Sequence, residues 1–252
     1  MSCSGKEHYL TGFEERGKDM IPKIIHYCWF GHGEYDEKIK YCMDTWQKVC
    51  PDYEIMRWDE DSFDLGQCRY AEQAYEKKRW AFVTDYVRLK VLDQYGGIYL
   101  DTDMELIRTL DDMLNDHAFL SFKRGELVFG ITSAVIATEK NNPFFEPLID
   151  QFESREYIGK DGEEDVTPIA KFLTEQCLAR GIRLVNERQI TDDGMVLYPN
   201  EVLCPTVEND GTIHVTPDTR AIHHFLGSWR TPELMEYFRE KLKNAKEGEI
   251  VI

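Results

Sequence analysis

The 252-residue sequence contains no long hydrophobic run and has few positive charges. No stretch reaches the roughly 18 consecutive apolar residues that a membrane-spanning helix needs, and residues 1–20 have no apolar centre of signal-peptide length. Thirty Lys and Arg residues stand against 47 Asp and Glu residues, for a formal net charge of −17. This balance argues against a nucleic-acid groove or a polybasic membrane patch, because both need a positive field to gather phosphates. We therefore expect an anionic ligand to be held by a metal ion or by a few placed cations.

Cys-x-x-Cys pairs are also absent. The seven cysteines are scattered along the chain, and an odd number cannot all pair within one molecule. Reduced thiols are typical of cytoplasmic proteins. The sequence thus predicts a cytoplasmic protein without a transmembrane segment, at most bound at the inner face of the membrane.

The length and apolar content allow one sizeable α/β domain, and the sequence has no internal repeat. Residues 1–20 are polar without periodicity, so we predict a tail or an appended helix there. Residues 21–252 are predicted to form a single domain. An apolar strand at 24–30 followed by a glycine-bearing loop, a helix at 35–49 and a strand at 53–58 give the β-α-β order of α/β folds.

The remaining elements follow from the same patterns. Strands are predicted at 98–100, 118–122, 127–137 and 221–225, and helices at 68–77, 79–95, 143–152, 167–179 and 232–243, the last with Thr231 as N-cap. The charged, glycine-containing segment 153–165 is expected to be a surface excursion.

The sharpest local feature lies at residues 95–103, where a short apolar strand after two glycines runs directly into Asp-Thr-Asp. Alternate side chains of a strand share a face, so Asp101 and Asp103 can converge on one point. Two converging carboxylates suit a divalent cation that keeps open positions for substrate phosphates. An acidic turn at a strand end is the more common explanation of an isolated Asp-x-Asp.

The helix predicted just before this strand carries a charge pair on its apolar face. At about 100° per residue, Asp85 and Arg88 lie among apolar positions, beside Thr84. They are three residues apart and can pair. One interpretation is a buried ion pair that fixes the helix. The other is that the pair grips a polar ligand beside the metal, and both side chains would then be open to water when no ligand is bound.

Two further groups of side chains suit the same chemistry. Residues 222–229 bring two histidines, a serine and a tryptophan together; a neutral His can ligate a metal, and an indole N–H can donate to a phosphate oxygen. Trp29 ends the first strand, where its face can stack on a nucleobase. In isolation, a His pair is usually polar surface and a lone Trp is usually a core residue.

Taken together, these segments resemble glycosyltransferase family 32, the DXD-motif sugar transferases of bacterial polysaccharide loci and fungal mannan synthesis, and more distantly the large clostridial glucosylating toxins. The matching segments are residues 21–31, 81–88, 95–103 and 223–229. The resemblance implies a GT-A fold, a Rossmann-like α/β sandwich with a mixed central sheet flanked by helices. It also implies metal-dependent, retaining transfer of a hexose from a nucleotide-diphosphate sugar to a glycan, polysaccharide-precursor or lipid-linked oligosaccharide acceptor. A UDP-sugar is the favoured donor, and GDP-mannose is the alternative.

The resemblance also implies roles for the motif residues. With Mn²⁺ or Mg²⁺ as cofactor, Asp103 would ligate the metal directly and Asp101 would contact the ribose and the metal region. The third ligand is expected to be His224, which precedes Gly227 by three residues, with His223 as the alternative. The residues expected to contact the donor are Asp85 and Arg88 at the sugar, Trp29, Tyr27 and Thr84 near the nucleoside and sugar, and Ser228 and Trp229 at the diphosphate.

Two other functions stay open at this point. A hydrophobic strand ending in Asp-x-Asp also opens haloacid-dehalogenase-type phosphatases, but Met104 and Glu105 follow here instead of the usual Gly, Thr or Val-type positions. The second is a non-catalytic sugar-nucleotide or glycan-binding protein of the same fold. The complete set of candidate residues argues against it.

Overall fold

The computed structural model describes residues 21–124, 129–208 and 210–227, together with 232, 235–237 and 240. The predicted tail at 1–20 and most of the predicted helix at 232–243, with its Thr231 cap, lie outside the described residues. Within the described ranges, no helix combines the length and the apolar character needed to cross a membrane.

From residue 21 to residue 100, the elements follow in the order that the sequence predicts: strand, helix, strand, two helices and strand. The strands are β1 Ile24–Cys28, β2 Glu54–Trp58, β3 Gly97–Leu100, β4 Met104–Leu106, β5 Ala118–Arg124, β6 Phe129–Ile131, β7 Val135–Thr138, β8 Gln189–Ile190, β9 Met195–Tyr198 and β10 Ala221–His223. The helices are α1 Glu37–Val49, α2 Arg69–Glu76, α3 Trp80–Tyr95, α4 Glu146–Glu153, α5 Ile169–Ala179 and α6 Asn200–Leu203.

The central sheet is mixed. Its strand order is β2-β1-β3-β7-β5-β9-β8, with β6 paired to β5. β1 is parallel to β2 and β3, and β5 is parallel to β9, whereas β7 runs antiparallel between β3 and β5. β4 and β10 form a separate antiparallel pair. This is the mixed α/β architecture that the sequence predicts.

Local chemistry explains where α1 and α3 begin and end. Asp36 caps α1, its Oδ1 accepting the Ile39 N–H at 2.8 Å, and Pro51 follows shortly after the helix ends. After α3, Gly96 takes a positive φ of 66°, which a residue without Cβ adopts without strain, and the chain enters β3 at once.

Apolar side chains form two clusters, and β3 contributes to both. Ile98 and Leu100 enter one cluster with Trp46 of α1, whereas Tyr99 enters the other with the buried residues of α3. Because neighbouring strand residues point to opposite faces, helices cover the sheet on both sides.

The described cysteines are free thiols inside the protein: Cys28, Cys42, Cys50, Cys68, Cys177 and Cys204. Burial raises the thiol pKa of both Cys42 and Cys177 to about 12.

Three predictions need correction. The single strand expected at 127–137 is two strands, β6 and β7, separated by a turn in which Thr132 Oγ1 accepts the Ala134 N–H at 3.2 Å. The segment 153–165 is not wholly a surface excursion, because Tyr157 is fully buried against Tyr70. The sequence patterns also missed four short elements, β4, β8, β9 and α6.

Candidate active site

The carboxyl end of β3 brings two aspartates and a histidine together. Asp101 and Asp103 follow β3 in a turn, closed by the Met104 N–H donating to the Asp101 carbonyl at 3.0 Å. β10 pairs with β4 so that His223 lies opposite Met104. One ligand atom each of Asp101, Asp103 and His223 lies within 4.8 Å of the others. Segments separated by more than a hundred residues therefore build one cluster.

Asp103 and His223 form an ion pair in this cluster, with Nε2 and Oδ1 3.3 Å apart. Burial alone would lower the pKa of His223, but Asp103 and the Cys204 thiol raise it to about 10. Burial alone would raise the pKa of Asp103, but His223 and the Leu226 N–H, 2.9 Å from Oδ2, hold it below its ordinary value. The carboxylate thus has a protonated imidazole as its positive partner.

The same three residues fit a divalent cation. Two carboxylates supply the hard oxygen ligands of Mg²⁺ and Mn²⁺, and an imidazole is an additional nitrogen ligand. A bound cation would replace the protonated His223 as the positive partner of Asp103. His223 Nδ1 is buried without a hydrogen-bond partner, so this ring is not fully committed to the protein.

Of the two candidate histidines, the alternative one faces the aspartates. His224, the expected third ligand, lies away from Asp101 and Asp103, with its Nε2 2.7 Å from Glu105 Oε2. Successive residues of an extended chain point to opposite sides, so only one of the two histidines can face the aspartates. That residue is His223.

Arg88 fixes the orientation of Asp101. Its Nη1 donates to Asp101 Oδ1 at 3.1 Å and to the Ser133 carbonyl at 2.8 Å. The Tyr99 hydroxyl donates to the same Asp101 oxygen at 3.0 Å, and the guanidinium lies over the Tyr99 ring, 4.4 Å from its centroid. The Asp101 backbone N–H donates to the Ala134 carbonyl at 2.8 Å. Asp101 is thus held by both its side chain and its backbone.

The Asp85–Arg88 pair is buried. Asp85 is 6% and Arg88 4% exposed, so the expectation that both are open to water is wrong. Arg88 Nη2 lies 3.1 Å from Asp85 Oδ1, and Asp85 Oδ2 accepts the Ile169 N–H at the start of α5. Burial raises the pKa of Asp85 to about 6 in spite of Arg88. This geometry favours the interpretation of a buried ion pair that holds α3 in place.

Thr84 belongs to the same network. Its hydroxyl donates to the Ala81 carbonyl at 2.7 Å and accepts from Arg88 Nη2 at 3.0 Å, while its carbonyl accepts from Arg88 Nε at 3.1 Å. Thr84 therefore positions Arg88 in this structure.

Trp29 and Tyr27 lie at the carboxyl end of β1, the strand adjacent to β3. The Trp29 indole N–H donates to the Gly33 carbonyl at 2.7 Å, and the ring packs on Tyr35 with centroids 4.6 Å apart. Trp29 is partly exposed, whereas Tyr27 is buried and its hydroxyl lies 3.4 Å from that of Tyr35. Ser228 and Trp229, the residues expected at the diphosphate, lie outside the described residues.

Sequence patterns did not identify Tyr99, the Ser133 carbonyl or Glu105 as parts of this region. Tyr99 and Asp101 are two residues apart in an extended segment and therefore share a face, and this spacing was the sequence signal for Tyr99. The Ser133 carbonyl had none, because it depends on the turn between β6 and β7.

Comparison with solved structures defines the fold. A glycosyltransferase involved in the glycosylation of the major capsid of PBCV-1 covers 86% of this chain, and this chain covers 98% of it, with a TM-score of 0.52 and 10% identity. At this identity the likeness concerns the fold alone. The protein has the GT-A glycosyltransferase fold, with the aspartates at the carboxyl end of a central strand.

Sequence comparison finds a family model that matches part of the chain. The family model described as "Glycosyltransferase sugar-binding region containing DXD motif" matches residues 36–120, which include Asp101-Thr-Asp103. The resemblance to the DXD-motif sugar transferases is confirmed over these residues.

Two curated relatives each match about half of the chain. Inositol phosphoceramide mannosyltransferase 3 of Schizosaccharomyces pombe is 35% identical over 136 residues, which are 49% of this chain and 35% of that protein. Mannosyl phosphorylinositol ceramide synthase CSH1 of Saccharomyces cerevisiae is 29% identical over 154 residues, 56% of this chain and 38% of that protein. The chain spans little more than a third of the length of these two relatives.

Proposed function

We propose that the protein is a metal-dependent, retaining glycosyltransferase that moves a hexose from a nucleotide-diphosphate sugar to a glycan or lipid-linked acceptor. The observation that carries the proposal is the convergence of Asp101, Asp103 and His223 at the carboxyl end of β3. In open α/β folds, ligands bind at this end of the strands. The haloacid-dehalogenase alternative is set aside, because the fold and the family match are those of glycosyltransferases.

In this proposal, Asp101, Asp103 and His223 hold a divalent cation, which would neutralise the charge that builds on the departing diphosphate. Arg88 and Tyr99 keep Asp101 in the orientation that the site needs. Trp29, which is partly exposed at the neighbouring strand end, stacks on the nucleobase in this proposal.

Retention of configuration follows from a same-face substitution, in which the acceptor hydroxyl attacks from the side that the diphosphate leaves. No protein nucleophile is required for such a step. Asp85, the candidate carboxylate on α3, is bound to Arg88 and to the Ile169 N–H, so it serves the scaffold of the site. NMR of the product would distinguish the two anomers.

The donor and the acceptor are the least constrained parts of the proposal. The sequence favours a UDP-sugar, whereas the two relatives carry mannosyl in their names, which makes GDP-mannose an equal candidate. The names of both relatives also contain inositol and ceramide, so a glycosylated lipid headgroup is an acceptor class to test beside oligosaccharides.

The decisive experiment is donor hydrolysis, because it needs no acceptor. UDP-galactose, UDP-glucose, UDP-N-acetylglucosamine and GDP-mannose are each incubated with the protein and Mn²⁺ or Mg²⁺. We expect metal-dependent release of the nucleoside diphosphate from one donor, loss of release with EDTA, and recovery with added Mn²⁺.

The Asp103→Asn variant tests the site. It keeps the shape of the side chain but removes the charge, so hydrolysis should fall by at least about a hundredfold, as for other preorganised charge-stabilising groups. Asp193→Asn is the matched control, since Asp193 pairs with Arg180 near the edge strand β8. Full hydrolysis by Asp103→Asn would overturn the metal site, and tight donor binding without any turnover would favour a sugar-nucleotide-binding protein.

A further inference from the structure

A chain of three side chains joins three separate elements beside the aspartate cluster. The Tyr41 hydroxyl on α1 donates to Glu105 Oε1 on β4 at 2.7 Å. His224, just after β10, has its Nε2 2.7 Å from Glu105 Oε2. The side chains of Glu105 and His224 are 14% and 13% exposed. Both oxygens of one carboxylate are thus used by partners from different elements.

The positions of these residues in the chain connect them to the candidate metal ligands. Glu105 is two residues after Asp103, and His224 follows His223 directly. The His224 N–H also donates to the Asp103 carbonyl at 3.1 Å. Whatever fixes Glu105 and His224 therefore fixes the distance between Asp103 and His223.

The segment that carries His223 needs such support. β10 makes three residue pairs with β4 and ends at His223. Phe225 then takes a positive φ of 50°, a strained conformation for a residue with a Cβ, and its ring packs on His223 with centroids 4.0 Å apart. A strained turn persists only where the surrounding contacts hold it.

We propose that Tyr41, Glu105 and His224 form a positioning clamp that holds His223 against Asp103 and thereby sets the affinity of the site for a divalent cation. The inference rests on the proposed function only in taking Asp101, Asp103 and His223 as the cation site. Tyr41, Glu105 and His224 act through these ligands, as hydrogen-bonded groups behind metal ligands commonly do.

The proposal differs from a simple effect of charge. If Glu105 mattered only as a negative charge near the cation, removing His224 or the Tyr41 hydroxyl would leave that charge in place, and binding would stay equal or tighten. A clamp predicts the opposite, because both changes release the segment that carries His223.

The test is a titration of the full chain with Mn²⁺ alone, followed by electron paramagnetic resonance, with melting temperatures measured in parallel. Asp103→Asn should abolish the high-affinity binding seen in the wild type. His224→Leu should weaken Mn²⁺ binding about tenfold, and Tyr41→Phe should weaken it by a smaller factor, with little change in melting temperature for Tyr41→Phe.

Matched controls lie elsewhere in the protein. His117→Leu breaks a His–Glu pair of 2.8 Å with Glu139, and Tyr53→Phe breaks a Tyr–Asp hydrogen bond of 3.0 Å with Asp111. Neither control should change Mn²⁺ affinity.

Each outcome decides between the alternatives. Unchanged or tighter Mn²⁺ binding in both His224→Leu and Tyr41→Phe would overturn the clamp. Strong loss in His224→Leu, with none in Tyr41→Phe and none in His223→Leu, would make His224 itself the ligand and also overturn it. Wild-type protein that hydrolyses a donor but binds no Mn²⁺ would remove the cation site and leave the transferase proposal standing on other grounds.

Discussion

At the scale of single residues, Arg88 is the centre of the polar network below the site. Its guanidinium contacts Thr84 twice, Asp85, Asp101 and the Ser133 carbonyl, and the residue is 4% exposed. A planar group with several fixed donors suits such a junction better than an ammonium would. Because its N–H groups are committed to the protein, Arg88 acts on the sugar substrate through Asp101 in the function proposed above.

Arg88→Met is expected to lower the free energy of unfolding by about 3–5 kcal/mol, because Asp85 would remain as a buried carboxylate without its partner. Urea denaturation measures this change. Arg69→Met is the control, since Arg69 pairs with Glu72 at the surface and such pairs are worth about 0–1 kcal/mol. Wild-type stability of Arg88→Met together with lost donor hydrolysis would instead place Arg88 in contact with the donor.

His26 predicts a proton-linked loss of stability in acid. It is fully buried in β1, accepts from the Trp58 indole N–H at 3.1 Å and lies 2.8 Å from the Gly96 carbonyl. Burial lowers its pKa to about 4 from the ordinary value of 6.5. Between pH 6.5 and pH 4, His26 is protonated in the unfolded chain but stays neutral in the folded protein. The free energy of unfolding therefore falls through that window, by about 3 kcal/mol in total.

The comparison of wild type with His26→Asn isolates this contribution. Asp85, whose native pKa is raised, acts in the opposite direction over part of the same range, but it is present in both proteins and cancels in the difference. Unfolding free energies measured between pH 7 and pH 4 should fall more steeply in the wild type, by about one proton per molecule. Parallel curves would show that His26 is not the group responsible.

At the scale of elements, the junction between α3 and β3 depends on two glycines. Gly97 has φ 103°, and a Cβ there would lie 2.8 Å from the Ile24 carbonyl oxygen of the neighbouring strand. Gly97→Ala should therefore destabilise the protein by more than the roughly 1–2 kcal/mol that left-handed backbone alone costs.

Gly162→Ala supplies the matched control for this prediction. Gly162 has φ 85°, but no atom lies within 4 Å of the position that a Cβ would take there, so only the backbone cost applies. Thermal or urea unfolding of both variants gives the difference. Equal losses would mean that β1 moves away from the added methyl group at no cost.

The elements that the sequence predicts well are those with a strong local pattern. β1 follows from an apolar run, α1 from a helical pattern that stops before Pro51, and α3 from a helical pattern that ends at two glycines; all three position the site. The turn between β6 and β7 could not be predicted, because residues 132–134 contain neither Gly nor Pro to mark a break between two strands. Tertiary hydrogen bonds end the strand there. The Ser133 carbonyl accepts from Arg88, and the Ala134 carbonyl accepts from the Asp101 N–H.

The choice between His223 and His224 shows the same limit. Spacing to Gly227 favoured His224, whereas the pairing of β10 with β4 turns His223 toward Asp103 and His224 toward Glu105. A shift of one residue in an extended segment exchanges the two faces. Register is set by the partner strand, which the sequence of residues 221–229 does not contain.

At the scale of the whole molecule, the fold could be predicted from the order of elements. The candidate site could be predicted from the residues at the ends of two neighbouring strands. The charge of −17 is consistent with a site that binds a phosphorylated donor through a cation, since few basic side chains are on hand for phosphates. The acceptor side had no sequence motif, and the residues expected to close over the diphosphate lie outside the described part of the chain.

The buried cysteines can be used to measure local unfolding of this protein. A thiol reagent reacts with an exposed thiolate, and the six described cysteines are both covered by the protein and, at Cys42 and Cys177, held protonated. In a Cys3→Ser background, the rate of modification by such a reagent should therefore follow the frequency of local unfolding. Cys50 belongs to the apolar cluster that contains Trp46, whereas Cys68 and Cys177 belong to the one that contains Tyr99. The order in which mass spectrometry finds these thiols modified would reveal which face of the sheet uncovers first.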